Sequence, residues 1–172
     1  KITNLAGTVP YGVALAYYAD ESGKPHTDEL IATKAIEQIK AHKDRPFFIA
    51  AGFYRPHVPE VAPKSFFDLY GTINWSPESH QDTSGVKGRL EPPWGSNAKP
   101  EQLREFVRGY YAAMSFMDAQ VGRMLDALRD NGLADNTIVV FTSDHGFNLG
   151  EHGHWEKLSF WRQSTRVPLV VY

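Results

Sequence analysis

Apolar positions along the chain fall into two patterns, short unbroken runs and longer stretches with a helical period. Thr27 or Asp28 can cap a helix running to about His42, because Leu30, Ile31, Ala35, Ile36 and Ile39 recur at helical spacing. Lys43-Asp44-Arg45-Pro46 ends it, since proline disfavours helix in the residue before it. Pro46-Phe47-Phe48-Ile49-Ala50-Ala51-Gly52-Phe53 is continuous apolar sequence without alternation, as in a strand covered on both faces. Residues 63–70 have room for one or two helical turns. The longest helix is predicted from Pro100 to about Asn131. Its stripe is Leu103, Phe106, Val107, Tyr110, Tyr111, Met114, Met117, Val121, Met124, Leu125 and Leu128, and Asn131-Gly132 stops it. Residues 137–141, Thr-Ile-Val-Val-Phe, read as a buried strand, and residues 167–172 as a closing one. An earlier run, 12–18, is a further candidate strand, followed by a turn over 20–25. Helices alternating with buried strands predict an α/β fold, a mostly parallel sheet flanked by helices.

Between these elements, residues 71–100 are rich in Pro, Gly, Ser and Trp and lack a period. A loop of that length inside a domain is uncommon and usually functional. It reads as a surface excursion near the mouth of a site, with Trp75 and Trp94 as anchors or substrate-facing aromatics. At 172 residues the expectation is one core, and 42% apolar with 22% charged residues is ordinary for a globular protein. The net charge of -2, without a basic block, argues against nucleic acid as a partner. No run approaches the roughly 18 apolar residues of a membrane helix, so no membrane partner is expected. The absence of cysteine excludes disulfides, a thiol nucleophile and thiolate metal ligands. The opening on Lys1 and the end inside a strand-like run suggest a piece of a longer protein.

The chemistry concentrates where the 137–141 run stops, at Thr142-Ser143-Asp144-His145-Gly146. Ligand sites of open α/β sheets lie outside the carboxyl ends of strands. A carboxylate beside an imidazole there is a half-site for a divalent metal, and Gly146 lets the chain leave the strand so that both can face one ion. The competing reading is an N-cap Asp followed by a hydrogen-bonded His. Lys157 lies twelve residues on, after a Gly-rich loop, and can neutralise an oxyanion or simply be solvated. His57 sits at a second strand end between Pro56 and Pro59, which stiffen its backbone. His152 and His154, on either side of Gly153, can contact substrate or solvent. His26, His42 and His80 read as structural or exposed. The tyrosines and methionines of the long helix read as core.

The stretch Phe-Thr-Ser-Asp-His-Gly-Phe-Asn-Leu-Gly-Glu-His-Gly-His-Trp-Glu-Lys over 141–157, with Thr165-Arg166-Val167-Pro168-Leu169-Val170, resembles the catalytic segment of type I sulfatases, nearest the iduronate 2-sulfatase branch. The runs 46–59 and 63–70 agree with it, as do Arg108-Gly109-Tyr110-Tyr111-Ala112-Ala113 and residues 117–123. The resemblance covers nearly all of 27–172. It implies an alkaline-phosphatase-like α/β domain and one divalent cation, calcium before zinc or magnesium. It also implies a formylglycine nucleophile whose hydrated aldehyde attacks sulfur, releases the alcohol and re-forms by expelling sulfate. On matching positions Asp144 and His145 are the metal ligands. Lys157 and His57 bind sulfate oxygens, and one of them protonates the leaving alcohol. His152 and His154 are further substrate contacts. The implied partner is a sulfated carbohydrate of the uronate 2-sulfate kind, met in a secreted, periplasmic or lysosomal setting. The runners-up are a phosphomonoester or phosphonate hydrolase of the same superfamily and a non-catalytic carbohydrate-binding derivative.

The chain departs from that family in its first half. No residues match the acidic pair of metal ligands that follows the N-terminal strand, and no Cys or Ser begins a Cys/Ser-x-Pro-x-Arg motif. Residues 1–172 therefore read as a partial catalytic domain. It would be inactive alone and would need the remainder of a sulfatase chain to complete the site. Sequencing the coding region upstream of Lys1 tests this, and a Cys/Ser-x-Pro-x-Arg motif there is the expected result.

Overall fold

The computed structural model describes residues 3–4, 16–75 and 98–172. Strand β1 (Thr3–Asn4) pairs antiparallel with β2 (Ala16–Asp20). After β2 the chain turns where Ser22 donates its backbone N–H to Asp20 Oδ1 at 3.1 Å, the turn expected over 20–25. Helix α1 (Thr27–His42) then crosses to β3 (Glu60–Pro63), which lies parallel to β2 with Tyr17 opposite Glu60 and Asp20 opposite Pro63. The helical period of the sequence locates α1 well. Its start is different from the expected one, because the Glu29 carboxylate accepts the His26 backbone N–H at 2.7 Å and closes the first turn. Asp28 is thereby released for another use.

Helix α2 (Lys64–Phe67) follows β3 directly, and α3 (Pro100–Asp130) packs across β2, β3 and α1. Phe106 and Val107, on the inner face of α3, are wholly buried with Ala112, Ala113 and Phe116. Of the predicted stripe, Leu103, Phe106, Val107, Met117 and Leu128 are buried, while Tyr111 and Leu125 lie 39% exposed. Around Gly109 the helix comes very close to the sheet. A Cβ on Gly109 would stand 3.0 Å from Tyr17 Cβ and 3.2 Å from Glu60 Cβ, so the helix backbone rests almost on the sheet. Small residues permit that approach where Met or Tyr would hold the helix away.

Beyond α3 a short turn at Ala134–Asn136 leads to β4 (Val140–Thr142). Next come a small hairpin of β5 (Asn148–Leu149) and β6 (Trp155–Glu156), the single turn α4 (Arg162–Thr165), and β7 (Leu169–Val171). β4 and β7 pair antiparallel, as do β5 and β6. The elements are α/β in order, but among the described residues only β2 and β3 run parallel, so the mostly parallel sheet of the expectation is not what these residues form. The segment 46–53 also differs. It joins no strand among the described residues, its residues alternate between partial and full exposure, and Phe48 is 94% exposed. Its uniformly apolar sequence predicts cover on both faces, whereas the described residues cover one. The apolar side chains of β4 and β7 are likewise exposed, Val140 at 59% and Leu169 at 70%. Among the described residues no helix is long and apolar enough to cross a membrane. Most of the predicted 71–100 excursion, Trp94 and His80 with it, and residues 12–15 of the early strand lie outside the described residues.

Replacing Gly109 by Val should destabilise the fold by about 1–3 kcal/mol, because the branched side chain overpacks the contact between α3 and the β2–β3 pair. A lowered denaturant midpoint with an unchanged slope checks this.

Candidate active site

Each candidate side chain stands on a turn that a buried neighbour anchors. The buried set Leu103, Phe106, Val107 and Trp155 forms the anchor, and Tyr17, Val58, Ile73, Trp75, Phe147 and Leu149 pack around it. Val58 follows His57, Trp155 lies two residues before Lys157, and Phe147 lies two after His145. Phe147 stacks on Phe106 at 6.5 Å between centroids and meets Tyr110 at 5.1 Å in a tilted contact. Three turns that the sequence singles out are thus rooted in one apolar cluster on α3.

The Asp144–His145 turn follows β4. Gly146 allows it for a reason other than left-handed freedom. A Cβ there would collide with the Gln163 carbonyl oxygen, and the Gly146 N–H donates to Ser164 O at 2.8 Å. The turn is pressed against α4, and only glycine fits. Asp144 Oδ1 accepts the His145 backbone N–H at 2.9 Å, and Asp144 Oδ2 lies 3.6 Å from His145 Nε2. His145 Nδ1 is 2.8 Å from Gly146 O. A carbonyl only accepts, so Nδ1 carries the proton and Nε2 keeps its lone pair in the neutral ring. Burial pushes the Asp144 carboxyl up, but the His145 N–H and ring, its own backbone N–H and the Ser143 hydroxyl together outweigh that and hold it below the usual carboxylate range. This donor set suits a divalent cation. Asp144 Oδ2 and His145 Nε2 lie 3.6 Å apart, about the spacing of adjacent ligands around an ion with metal–oxygen distances of roughly 2.3–2.6 Å. Among the described residues no third His, Asp or Glu joins them in a group able to hold a metal.

His57 sits in a tight turn after the 46–53 segment. Its backbone N–H donates to Tyr54 O at 2.9 Å, its ring lies 4.9 Å from the Tyr54 ring, and Nδ1 is 2.7 Å from Val58 O. The same reasoning puts a proton on Nδ1, and the residue is exposed. The peptide bonds Arg55–Pro56 and Val58–Pro59 are both cis.

The loop from Leu149 to Lys157 is built on two tryptophans. Gly150 has φ of +105°, and a Cβ there would meet Trp75 at 2.9 Å and Trp155 at 3.3 Å. Trp75 Nε1 donates to Leu149 O at 3.0 Å, which makes this residue the structural anchor that was one of its two readings. His152, itself at φ +56°, lays its ring on Trp161 at 3.8 Å and 8° from parallel. One face of that ring is therefore engaged. His154 donates its backbone N–H to Glu151 O at 2.8 Å. Asn148, wholly buried, ties the loop down by donating to Glu156 O at 2.6 Å and Ser164 Oγ at 2.5 Å. Glu156, at φ +66°, is buried, and the next residue, Lys157, is half-buried.

Four polar residues behind these turns are not among the predicted site residues. Asp28 and Arg55 bond the His57 turn. Glu60 is wholly buried, and neither carboxylate oxygen has a hydrogen-bond partner among the described residues. Burial pushes its carboxyl well above the usual range; the Arg55 guanidinium opposes this and Glu156 adds to it. Burial likewise pushes Glu156 up to about 7, with Lys157 pulling the other way. Tyr110 is pushed up to about 12 by burial and by the nearby Glu60 and Glu151. A lone Glu after Pro59 or before Lys157 looks like any surface carboxylate in a sequence. Its burial follows only from the packing of α3 over the sheet.

Residues 4–172 match the Sulfatase family model. The iduronate 2-sulfatase of Mus musculus is 38% identical over 169 residues, covering 87% of this chain and 30% of its own length. A sulfatase of Formosa agariphila is 35% identical over 161 residues, covering 87% of this chain and 31% of its own. Among solved structures, the phosphonate monoester hydrolase of Agrobacterium radiobacter superposes with a TM-score of 0.65 at 26% identity, over 85% of this chain and 32% of that one. That likeness supports the α/β fold. The chain belongs to the sulfatase family, and it spans about 30% of the length of the curated relatives it matches.

Glu156 binds its proton more tightly folded than unfolded, so it contributes stability below about pH 4.5 that is lost as pH rises through about 7. In the full-length protein Glu156→Gln should flatten that part of the pH dependence and raise the thermal midpoint at pH 8 relative to the parent. Melting curves from pH 4.5 to 8 check the sign.

Proposed function

We propose, for this member of the sulfatase family, that the chain supplies one half of a sulfate-ester hydrolase centre acting on sulfated carbohydrate of the uronate 2-sulfate kind. Asp144 and His145 hold one divalent cation, calcium before zinc or magnesium, and Lys157 and His57 hold the sulfate group of the ester. The observation that carries this reading is the common root of the three turns. Val58, Trp155 and Phe147 belong to one apolar assembly, and the side chains beside them are a cation, an imidazole and a carboxylate–imidazole pair. Family membership and the likeness to iduronate 2-sulfatase support the substrate class.

In this reading Lys157 supplies a compact positive charge to the sulfate oxygens, where negative charge must be held through the reaction. His57 has Nδ1 committed to the Val58 carbonyl, so it is the imidazolium form, protonated on both nitrogens, whose Nε2–H donates to an ester oxygen and passes that proton to the departing alcohol, leaving the neutral Nδ1–H ring. Asp144 and His145 contribute an oxygen and a nitrogen donor, and a bound cation would neutralise charge on the sulfate. His152 and His154 contact the sugar, His152 through the ring edge that its stack on Trp161 leaves open. The formylglycine nucleophile and the remaining metal ligands belong to the rest of the parent protein. So does the cover of the 46–53 segment and of the outer faces of β4 and β7. A secreted, periplasmic or lysosomal location follows the same reading, and residues 71–100 would shape the pocket around the sugar.

Full-length protein assayed in parallel on a 2-sulfated uronate oligosaccharide, a phosphate monoester and a phosphonate monoester tests the reaction class. Sulfate release is expected, with Lys157→Ala and His57→Ala each lowering kcat/KM by about a hundredfold or more. Asp144→Asn should raise the calcium concentration needed for half-maximal activity. Turnover of the phosphorus esters with an inert sulfate would assign the other hydrolase class, and no release from any of the three would favour a binding role.

A further inference from the structure

The His57 turn is held through its backbone by two charged side chains, Asp28 and Arg55. Asp28, in the first turn of α1, is 1% exposed. Its two carboxylate oxygens accept the backbone N–H groups of Tyr54 at 2.8 Å and Arg55 at 3.0 Å. A buried carboxylate is costly unless its oxygens are satisfied, and here both are used on the two residues that lead into Pro56 and His57. Arg55 closes the turn from the other side. Its Nη1 donates to His57 O at 2.8 Å and to Pro59 O at 2.6 Å, and its guanidinium lies 5.1 Å from the centre of the Tyr54 ring. The carbonyls on both sides of Val58 are thus held by one cation, and the amides upstream by one anion. The 46–53 segment leading into the turn has no strand partner among the described residues, so these bonds, the Tyr54 ring and the seat of Val58 in the core set where the imidazole stands.

We propose that Asp28 and Arg55 are positioning residues for His57, fixing its imidazole against the sulfate ester while touching no reacting atom. This role rests on the assignment of His57 to the sulfate site. It differs from plain support of the fold in one measurable way: its effect on catalysis passes through His57 alone. A donor displaced by about 1 Å can cost on the order of a hundredfold in rate. Once the imidazole is gone, nothing remains to be misplaced.

The test is a double-mutant cycle in the full-length protein on a sulfate ester. Arg55→Met keeps the apolar stem and removes the fork, Arg55→Lys keeps a charge with one reach, and Asp28→Asn keeps the size and one acceptor. With His57 present, R55M and D28N should each lower kcat/KM by about ten- to a hundredfold, R55K should fall between R55M and the parent, and the inhibition constant for inorganic sulfate should rise. In the His57→Ala background the same changes should alter kcat/KM by less than about threefold, while their effect on the melting temperature stays the same in both backgrounds. Equal losses of activity with and without His57, or no loss when it is present, overturn the positioning role. His57→Ala with parental activity overturns the site assignment and this role with it, an outcome the additive pattern cannot imitate.

Discussion

Phe106 meeting Trp155 edge-on at 5.7 Å is the contact on which the arrangement depends. Phe106 comes from the helix that lies across the β2–β3 pair, and Trp155 from a hairpin about fifty residues later. Their burial joins the helix to the loop that carries His152, His154 and Lys157. Val58 from the histidine turn and Phe147 from the segment after Asp144–His145 fill the sides of the same cluster. Burying aromatic and aliphatic area is non-directional, but a close-packed cluster admits few arrangements of its attached turns. The turns that carry the polar side chains are thereby rooted in one apolar cluster.

The same close packing accounts for the unusual carboxylates. Gly109 lets α3 approach within contact of Tyr17 and Glu60, which seals Glu60 from water. Glu156 is buried at a left-handed backbone position, and the field of Lys157 offsets part of its burial. Buried charges of this kind are seldom gains in stability. Their position, one residue after the Pro59 that ends the histidine turn and one before the candidate lysine, puts that cost where polar chemistry is concentrated. Asp28 is different, because backbone amides answer both of its oxygens.

The helices were legible because periodicity is a local property. α1 and the long α3 fall where apolar residues recur every three to four positions. The Asp144–His145 pair was legible for a related reason: adjacent donors at a strand end need only a local turn to come together, as the 3.6 Å spacing records. The burial of the α3 face was read less well. Leu103, Phe106, Val107, Met117 and Leu128 are buried as their spacing requires, but Tyr111 and Leu125 fit the stripe by spacing and lie 39% exposed, while Gly109, which the pattern does not mark, makes the close contact with Tyr17 and Glu60. The partnering of 46–53 was overstated, because an apolar run reports that cover is required and not which residues supply it.

By itself the sequence determined the two long helices, the adjacency of one carboxylate and one imidazole, and through its motifs the sulfatase family. Those are matters of near neighbours and of residue type in order. Tertiary structure alone decided that Gly146 serves close approach to α4, that His152 lies flat on Trp161, and that Asp28 leaves the helix cap to bind the backbone 26 residues away. Each joins residues that local pattern cannot connect. A hydrogen bond or a ring stack depends on distance in space, and only the packing of α3, the β2–β3 pair and the hairpin brings those atoms within reach.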